Sequence, residues 1–196
     1  MPQIDRRHVI GLGLAAAAMS LVPRSSAAAA SGQGTAYDFS FEKIEGGPLP
    51  LSQWRGRPIL VVNTASQCGY TFQYSGLVKL WGRYRDKGLI VLGVPSNDFG
   101  GQEPGKAGEI KEFCETTFGV DFPLAAKTAV SGSAPHPFYR WAAEVLGPGR
   151  VPKWNFHKYL VGRDGHLLAA FPSATEPMSE PVLAAIDKAL AAKPDA

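Results

Sequence analysis

The sequence predicts an α/β protein in which a central mixed β-sheet carries helices on both faces. Short continuous apolar runs, typical of buried strands, alternate with segments whose apolar residues recur every three or four positions, as in amphipathic helices. The last two predicted strands are joined by Arg163-Asp164-Gly165, and an Asp-Gly pair favours a β-hairpin turn. Together these patterns predict one layered domain.

Length and composition agree with this fold class. The chain has 196 residues, of which 45% are hydrophobic, enough for one domain with a substantial core. Only 19% of the residues are charged, and no block of like charges indicates a nucleic-acid partner.

Residues 1–30 are predicted to be an export signal, and residues 31–196 the functional domain. A charged head containing Arg6 and Arg7 precedes an apolar run at 9–22, and an alanine tract follows at 27–30. The paired arginines resemble a twin-arginine signal, which predicts a periplasmic protein. An ordinary secretory signal or a retained anchor helix are the alternatives, although the run is shorter than the roughly 20 residues that span a bilayer. Removal of residues 1–30 takes away three arginines and one aspartate, so the formal net charge of the chain falls from +3 to +1.

The elements of the domain can be predicted in order. An alternating segment at 37–41 indicates an edge or hairpin strand, and Gly46-Gly47-Pro48 a turn. The remaining predicted elements are a strand at 58–63, a helix at about 71–87, a strand at 89–94, a helix at about 106–117, an extended segment at 122–127, a short helix at 137–146, strands at 158–161 and 166–171, and a helix at 179–192. This order matches a thioredoxin-like layout, although no Cys-x-x-Cys motif is present.

Cys68 is the first candidate for chemistry. It lies in a polar turn between the first central strand and the following helix, for which Thr71 is a potential cap. Backbone N–H groups and the positive end of a helix dipole favour thiolate over thiol at such a position. The small or polar neighbours Gln67 and Gly69 predict a partly open turn. The alternative is a small buried hydrophobic residue at a strand end.

Two further segments are expected at the same edge of the sheet. The loop at 97–105 follows the second central strand, so that Gln102 would lie beside Cys68 if the two strands are parallel neighbours. Trp154 and Asn155 precede the strand at 158–161 and can donate N–H groups toward the same edge. Taken alone, a solvated Gln102 and a core aromatic at Trp154 are the more common interpretations.

These segments together resemble the glutathione peroxidase family. The three blocks are Asn-Thr-Ala-Ser-Gln-Cys-Gly-Tyr-Thr at 63–71, Phe-Gly-Gly-Gln-Glu-Pro-Gly at 99–105 and Trp-Asn-Phe at 154–156, in the family's order. The resemblance covers about residues 37–190. It implies that Cys68 is the peroxidatic cysteine and that Gln102, Trp154 and Asn155 complete a catalytic tetrad.

Cys114 admits more than one interpretation. Its place on the apolar face of the second helix, beside Ile110 and Phe118, favours a core cysteine. The resemblance instead implies a resolving cysteine, as in the cysteine-type, thioredoxin-dependent members of the family. A third possibility is a structural disulfide with Cys68, because two cysteines in an exported protein commonly pair.

The resemblance implies an enzyme that reduces hydrogen peroxide or organic and lipid hydroperoxides through a cysteine sulfenic acid. Its partners would be the hydroperoxide and either a thioredoxin-like dithiol protein or glutathione as reductant. The chain is similar to the short form of the family, which implies a monomer. A peroxide sensor or redox relay is the alternative function. The scattered histidines and the absence of a phosphate-binding glycine motif predict neither a metal site nor a bound cofactor.

Overall fold

The computed structural model describes residues 34–193, and the predicted export signal at residues 1–30 lies outside them. The strands are β1 (Ser40–Glu42), β2 (Pro48–Pro50), β3 (Ile59–Thr64), β4 (Ile90–Pro95), β5 (Lys158–Val161) and β6 (Leu167–Phe171). The helices are α1 (Gln73–Tyr84), α2 (Ala107–Phe118), α3 (Pro137–Leu146) and α4 (Glu180–Ala191).

Strands β3 to β6 form the central mixed sheet, in the order β4-β3-β5-β6. Strand β3 pairs with β4 in parallel and with β5 in antiparallel, and β5 and β6 are antiparallel. Strands β1 and β2 form a separate antiparallel hairpin. The predicted thioredoxin-like α/β fold is therefore confirmed.

The two faces of the sheet are each covered by helices. Along β3, Leu60 and Val62 pack into one hydrophobic cluster, whereas Ile59 and Val61 pack into the other. Successive side chains of a strand point to opposite faces, so each face has its own core. Helices α1, α2 and α4 contribute to the first cluster, and α3 and the β1–β2 hairpin contribute to the second.

Two predicted extended segments differ in the structure. Residues 37–41 are not one strand, because a 3₁₀ helix occupies Ala36–Asp38 and β1 begins at Ser40. The Asp38 carboxylate accepts the Thr35 N–H at 2.7 Å and closes this turn. Residues 122–127 make only isolated bridges, between Gly93 and Leu124 and between Lys43 and Ala125. Pro123 has no N–H group with which to extend a ladder there.

The close approach of this segment explains one glycine. A Cβ at position 93 would lie 2.6 Å from Leu124 Cδ2, so β4 needs a glycine where the segment crosses it. The parallel pair β3–β4 runs in register from Ile59 with Ile90 to Thr64 with Pro95. The loops after both strands therefore leave the sheet at the same edge, which carries the candidate site.

Candidate active site

Cys68 lies in the turn that connects β3 to α1. Its sulfur accepts the backbone N–H of Tyr70 at 3.4 Å. The side chain is 9% exposed and packs into the hydrophobic cluster beneath α1. The sequence predicts a more open turn than this, because it does not show how closely the neighbouring side chains pack.

Thr71 does not cap helix α1, contrary to the sequence prediction. The helix begins at Gln73, and its N-cap residue is Phe72, without a side-chain cap. The Thr71 hydroxyl instead accepts the Cys68 N–H at 3.0 Å and donates to the Ala65 carbonyl at 2.9 Å. Thr71 therefore fixes the backbone of the cysteine turn rather than the first turn of the helix.

Gln102 lies at the same edge, as expected from the parallel strands. Its carbonyl accepts the backbone N–H of Gln67, the residue before Cys68, at 3.0 Å. Its side-chain oxygen accepts the Asn155 amide at 3.0 Å. The structure thus joins the 97–105 loop to the cysteine turn through the backbone and to Asn155 through side chains.

The segment with Trp154 and Asn155 is fixed by Asn63 at the end of β3. The Asn63 amide donates to the Trp154 carbonyl at 3.1 Å, and the Asn63 carbonyl accepts the Phe156 N–H at 2.6 Å. Asn155 is fully buried, whereas Trp154 is 38% exposed. The indole lies against the Phe99 ring, at 5.9 Å between centroids, and so borders the 97–105 loop.

Cys114 is fully buried on helix α2 and belongs to the same hydrophobic cluster as Cys68. The two cysteines are free thiols and form no disulfide in this structure. Burial raises the pKa of the Cys114 thiol to about 11, so this group is protonated at neutral pH. The structural Cys68–Cys114 disulfide considered from the sequence is therefore not formed in this structure.

Three buried polar residues of the site were not singled out in the sequence: Asn63, Glu103 and Lys158. Asn63 and Lys158 occur within predicted strands, where their pattern does not differ from that of ordinary strand residues. Glu103 is 1% exposed; its carboxylate accepts the Ser66 hydroxyl at 2.6 Å. Burial raises the pKa of Glu103 above its usual range. Its position directly after Gln102 was the one available signal.

A surface cavity of about 510 Å³ adjoins the site. Tyr70, two residues after Cys68, and Trp154 both line it. Arg150 and Lys153 are exposed on its rim, and His157 lies in its wall. A mainly apolar lining with two exposed cations suits a molecule with an apolar body and an anionic end.

Within residues 34–193, no group of three or more His, Cys, Asp or Glu side chains is arranged to hold a metal ion. The same part of the chain contains no helix with the length and apolar character needed to cross a bilayer.

Fold and site together define a thioredoxin-like α/β protein with a cysteine in the turn after β3, and a backbone hydrogen bond joins this turn to the loop that carries Gln102. In solved structures, the apo form of Trgpx matches with a TM-score of 0.67 and 34% identity, over 82% of this chain and 97% of that one. A thioredoxin-family thiol:disulfide interchange protein from Chlorobium tepidum TLS matches with a TM-score of 0.57 at 15% identity, over 78% of this chain and 92% of that one, a likeness of fold alone.

The sequence comparisons are more specific. The glutathione peroxidase family model matches residues 36–143. The hydroperoxy fatty acid reductase gpx1 of Synechocystis sp. is 44% identical over 169 residues, which cover 82% of this chain and 99% of that protein. The glutathione peroxidase-like peroxiredoxin gpx1 of Schizosaccharomyces pombe is 44% identical over 144 residues, covering 72% and 90%. The chain belongs to the glutathione peroxidase family.

Proposed function

We propose that this protein is a thiol peroxidase that reduces hydroperoxides with Cys68 as its nucleophile. The observation that carries the proposal is the position of Cys68 in the turn after β3, whose neighbour Gln67 is hydrogen-bonded to the Gln102 backbone. The Cys68 thiolate attacks one peroxide oxygen, and the O–O bond breaks. The bonding pair leaves with the other oxygen, which takes a proton and departs as water or an alcohol. Cys68 becomes a sulfenic acid.

Gln102, Trp154 and Asn155 are proposed to stabilise the charge that develops on the leaving oxygen. Gln102 uses its side-chain oxygen to accept the Asn155 amide, so its own NH₂ group is the part that can donate. Asn155 Oδ1 is buried and has no hydrogen-bond partner among residues 34–193. The proposal is that this oxygen accepts the O–H of a hydroperoxide once a local opening of the site exposes it, which would orient the peroxide at the sulfur.

Cys114 is proposed to resolve the sulfenic acid. Its thiolate attacks the Cys68 sulfur, a disulfide forms, and the displaced hydroxide combines with the thiol's proton to give water. A dithiol reductant then restores both thiols. Because burial raises the pKa of Cys114 to about 11, the thiol must reach a more polar environment before it reacts.

Paired cysteine variants test this function. Cys68→Ser should abolish peroxide consumption, because it removes the nucleophile. Cys114→Ser should keep one fast turnover and leave a sulfenic acid that dimedone traps and mass spectrometry detects. Sustained cycling of Cys114→Ser with a dithiol reductant would rule out the resolving role, and retained peroxide consumption by Cys68→Ser would rule out the whole mechanism.

A fatty acid hydroperoxide is the proposed preferred substrate. The Synechocystis relative is named a hydroperoxy fatty acid reductase. In this chain the apolar cavity beside Trp154 and the cations Arg150 and Lys153 at its rim fit a hydrocarbon chain with a carboxylate. Arg150→Met with Lys153→Met should raise KM for linoleic acid hydroperoxide about tenfold and leave KM for tert-butyl hydroperoxide within about twofold. Equal effects on both substrates would exclude recognition of the carboxylate.

The reductant is proposed to be a thioredoxin-type dithiol protein, since relatives from Schizosaccharomyces pombe and Chlamydomonas reinhardtii are named peroxiredoxins. NADPH oxidation coupled through thioredoxin and thioredoxin reductase should exceed that coupled through glutathione and its reductase by at least about tenfold. Faster turnover with glutathione would contradict this.

The protein is proposed to act as a monomer, which sedimentation equilibrium can check.

We also infer that residues 1–30 direct export to the periplasm. The support is the arginine pair Arg6-Arg7 before the apolar run at 9–22. Cell fractionation should find the wild-type chain in the periplasm and the Arg6→Lys, Arg7→Lys chain in the cytoplasm. Continued export of the variant would indicate the general secretory route, and a cytoplasmic wild type would contradict export.

A further inference from the structure

Lys158, the first residue of β5, is a fully buried lysine. Its ammonium nitrogen donates to Gln73 Oε1 and to the Phe156 carbonyl, both at 2.7 Å. Both acceptors are uncharged, although buried lysines usually pair with a carboxylate. Burial lowers the pKa of Lys158 to about 7, and the neutral amine still has the two N–H donors that these bonds need. The position of Lys158 in the sheet does not by itself explain why a buried lysine occurs there.

The first acceptor belongs to the segment that carries the sulfur. Gln73 is the first residue of α1 and lies five residues after Cys68 in the sequence. Its side chain is 1% exposed, and its amide nitrogen donates to the Ser173 carbonyl at 2.6 Å. Both ends of the Gln73 amide are therefore held, one of them by Lys158.

The second acceptor belongs to the segment that carries the indole and the carboxamide. Phe156 directly follows Trp154 and Asn155 and has a φ of 64°. Among residues 34–193 it is the one non-glycine residue with positive φ, a conformation that L-residues rarely adopt. The bond from Lys158 to its carbonyl, together with that from its N–H to Asn63, holds this peptide in place.

We propose that Lys158 is a positioning residue for peroxide reduction: its buried amine joins the start of helix α1, which follows the Cys68 turn, to the turn that presents Trp154 and Asn155. This inference rests on the proposed function. Lys158 does not touch the reacting atoms; it sets the distance between the nucleophile and the groups that stabilise the leaving oxygen. A misplacement of about 1 Å between such groups can lower a rate by about 100-fold.

The test is Lys158→Met in a Cys114→Ser background, where Cys68 is the one remaining thiol. The rate constant for oxidation by hydrogen peroxide, followed by stopped-flow tryptophan fluorescence, should fall at least about tenfold. The rate of alkylation by iodoacetamide should change less than about threefold, because alkylation needs the thiolate but not the donors for the leaving oxygen. Both are measured at a temperature at which the variant is fully folded.

Arg57→Met is the matched control. Arg57 also donates from a side-chain nitrogen to a carbonyl, that of Gly88, at 2.9 Å, but it lies before β3, at the opposite end of the sheet. It should lower thermal stability without changing the ratio of the peroxide rate to the alkylation rate. If Lys158→Met changes this ratio no more than Arg57→Met does, Lys158 is only structural and the inference is wrong.

Gln73→Met covers the case in which Lys158→Met does not fold. It removes the acceptor and keeps the lysine, and it should lower the peroxide rate with the same sparing of alkylation. An unchanged ratio in Gln73→Met would also overturn the inference. Failure of the proposed function looks different, because the parent protein with Lys158 intact would then show no fast reaction of Cys68 with peroxide.

Discussion

At the scale of single residues, the site depends on polar atoms that backbone partners hold in place. The Cys68 sulfur accepts one N–H, Thr71 fixes the Cys68 backbone, and Asn63 fixes the segment with Trp154. The side-chain bond from Asn155 to Gln102 then connects the 97–105 loop to the segment that carries Trp154 and Asn155. Preorganisation of this kind lets fixed dipoles stabilise a developing charge without rearrangement at the moment of reaction.

The Asn155–Gln102 bond gives the first prediction. Asn155→Asp keeps the shape of the side chain but replaces the NH₂ donor with a carboxylate oxygen, which repels both Gln102 Oε1 and a thiolate. The rate constant for oxidation of Cys68 should fall about 100-fold in stopped-flow measurements. Gln67→Ala is the control, because the Gln67 side chain is exposed and its backbone bond to Gln102 remains. A rate within about threefold of wild type in Asn155→Asp would exclude a catalytic contribution of this residue.

The sequence could predict the candidate site residues at this edge of the sheet, but not the residues that hold them in place by hydrogen bonds. Local pattern alone favours a solvated Gln102 and a core Trp154, and the family motifs were needed to bring them together with Cys68. The supporting roles of Asn63 and Lys158 could not be predicted, because each residue stands in a strand of mainly apolar residues. Their partners lie more than 80 residues away in sequence, as the Lys158–Gln73 and Asn63–Trp154 bonds show.

At the scale of secondary-structure elements, the proposed resolving role of Cys114 depends on helix α2. Cys114 is fully buried in the middle of this helix, and the carbonyl of Cys114 accepts the N–H of Val120 beyond its end. A reductant cannot reach the sulfur in this position. We therefore expect α2 to open locally during turnover, as marginally stable helix ends do in many proteins.

Two glycine variants of α2 should move the resolving step in opposite directions. A Cβ at Gly108 meets nothing within 4 Å, so Gly108→Ala should strengthen the helix by up to about 1 kcal/mol. Gly119 caps the helix with a φ of 67°, so Gly119→Ala should weaken its end by about 1–2 kcal/mol. If opening limits disulfide formation, the first variant slows it by up to about fivefold and the second accelerates it at least as much. Quenched-flow thiol counting after one equivalent of peroxide measures this rate.

A change in the rate of Cys68 oxidation would obscure a change in the rate of disulfide formation. The oxidation rate of Cys68 is therefore measured in the same variants. Both glycines lie away from the sulfur, and that rate should stay within about twofold of wild type. Equal disulfide rates in Gly108→Ala, Gly119→Ala and the parent protein would show that opening of α2 does not limit resolution.

The order of these elements follows from the sequence more completely than their ends do. Apolar periodicity predicted each of the four helices and the four central strands of the described chain within a few residues of the observed bounds. Two of the errors occur where side chains form local hydrogen bonds that a periodic pattern does not contain. Asp38 converts the start of a predicted strand into a 3₁₀ turn, and Thr71 closes the cysteine turn instead of capping α1.

At the scale of the whole molecule, three buried side chains of the described chain are carboxyl or basic groups: Glu103, His157 and Lys158. Glu103, His157 and Lys158 are all less than 10% exposed, and none has an ion-pair partner at salt-bridge distance within the described chain. Burial raises the pKa of the carboxyl and lowers those of the two bases, so each group is shifted toward its neutral form. The stability of the fold is therefore linked to pH through groups that lie beside the proposed active site.

His157 gives the clearest prediction of this linkage. Burial lowers its pKa from 6.5 to about 4, and the charge of Lys158 acts in the same direction. Between these two values the unfolded chain binds the proton and the folded chain does not, so the free energy of unfolding falls as the pH drops from 6.5 to 4. The full shift corresponds to a loss of about 3 kcal/mol in the free energy of unfolding at pH 4.

His157→Phe removes the titrating group and keeps a ring beside Tyr159, so urea unfolding between pH 7 and 4 should show a shallower loss of stability in this variant. His166→Gln, at an exposed position, should retain the wild-type slope. Parallel pH profiles for His157→Phe and wild type would mean that acid destabilisation arises elsewhere and that the buried imidazole does not contribute to it.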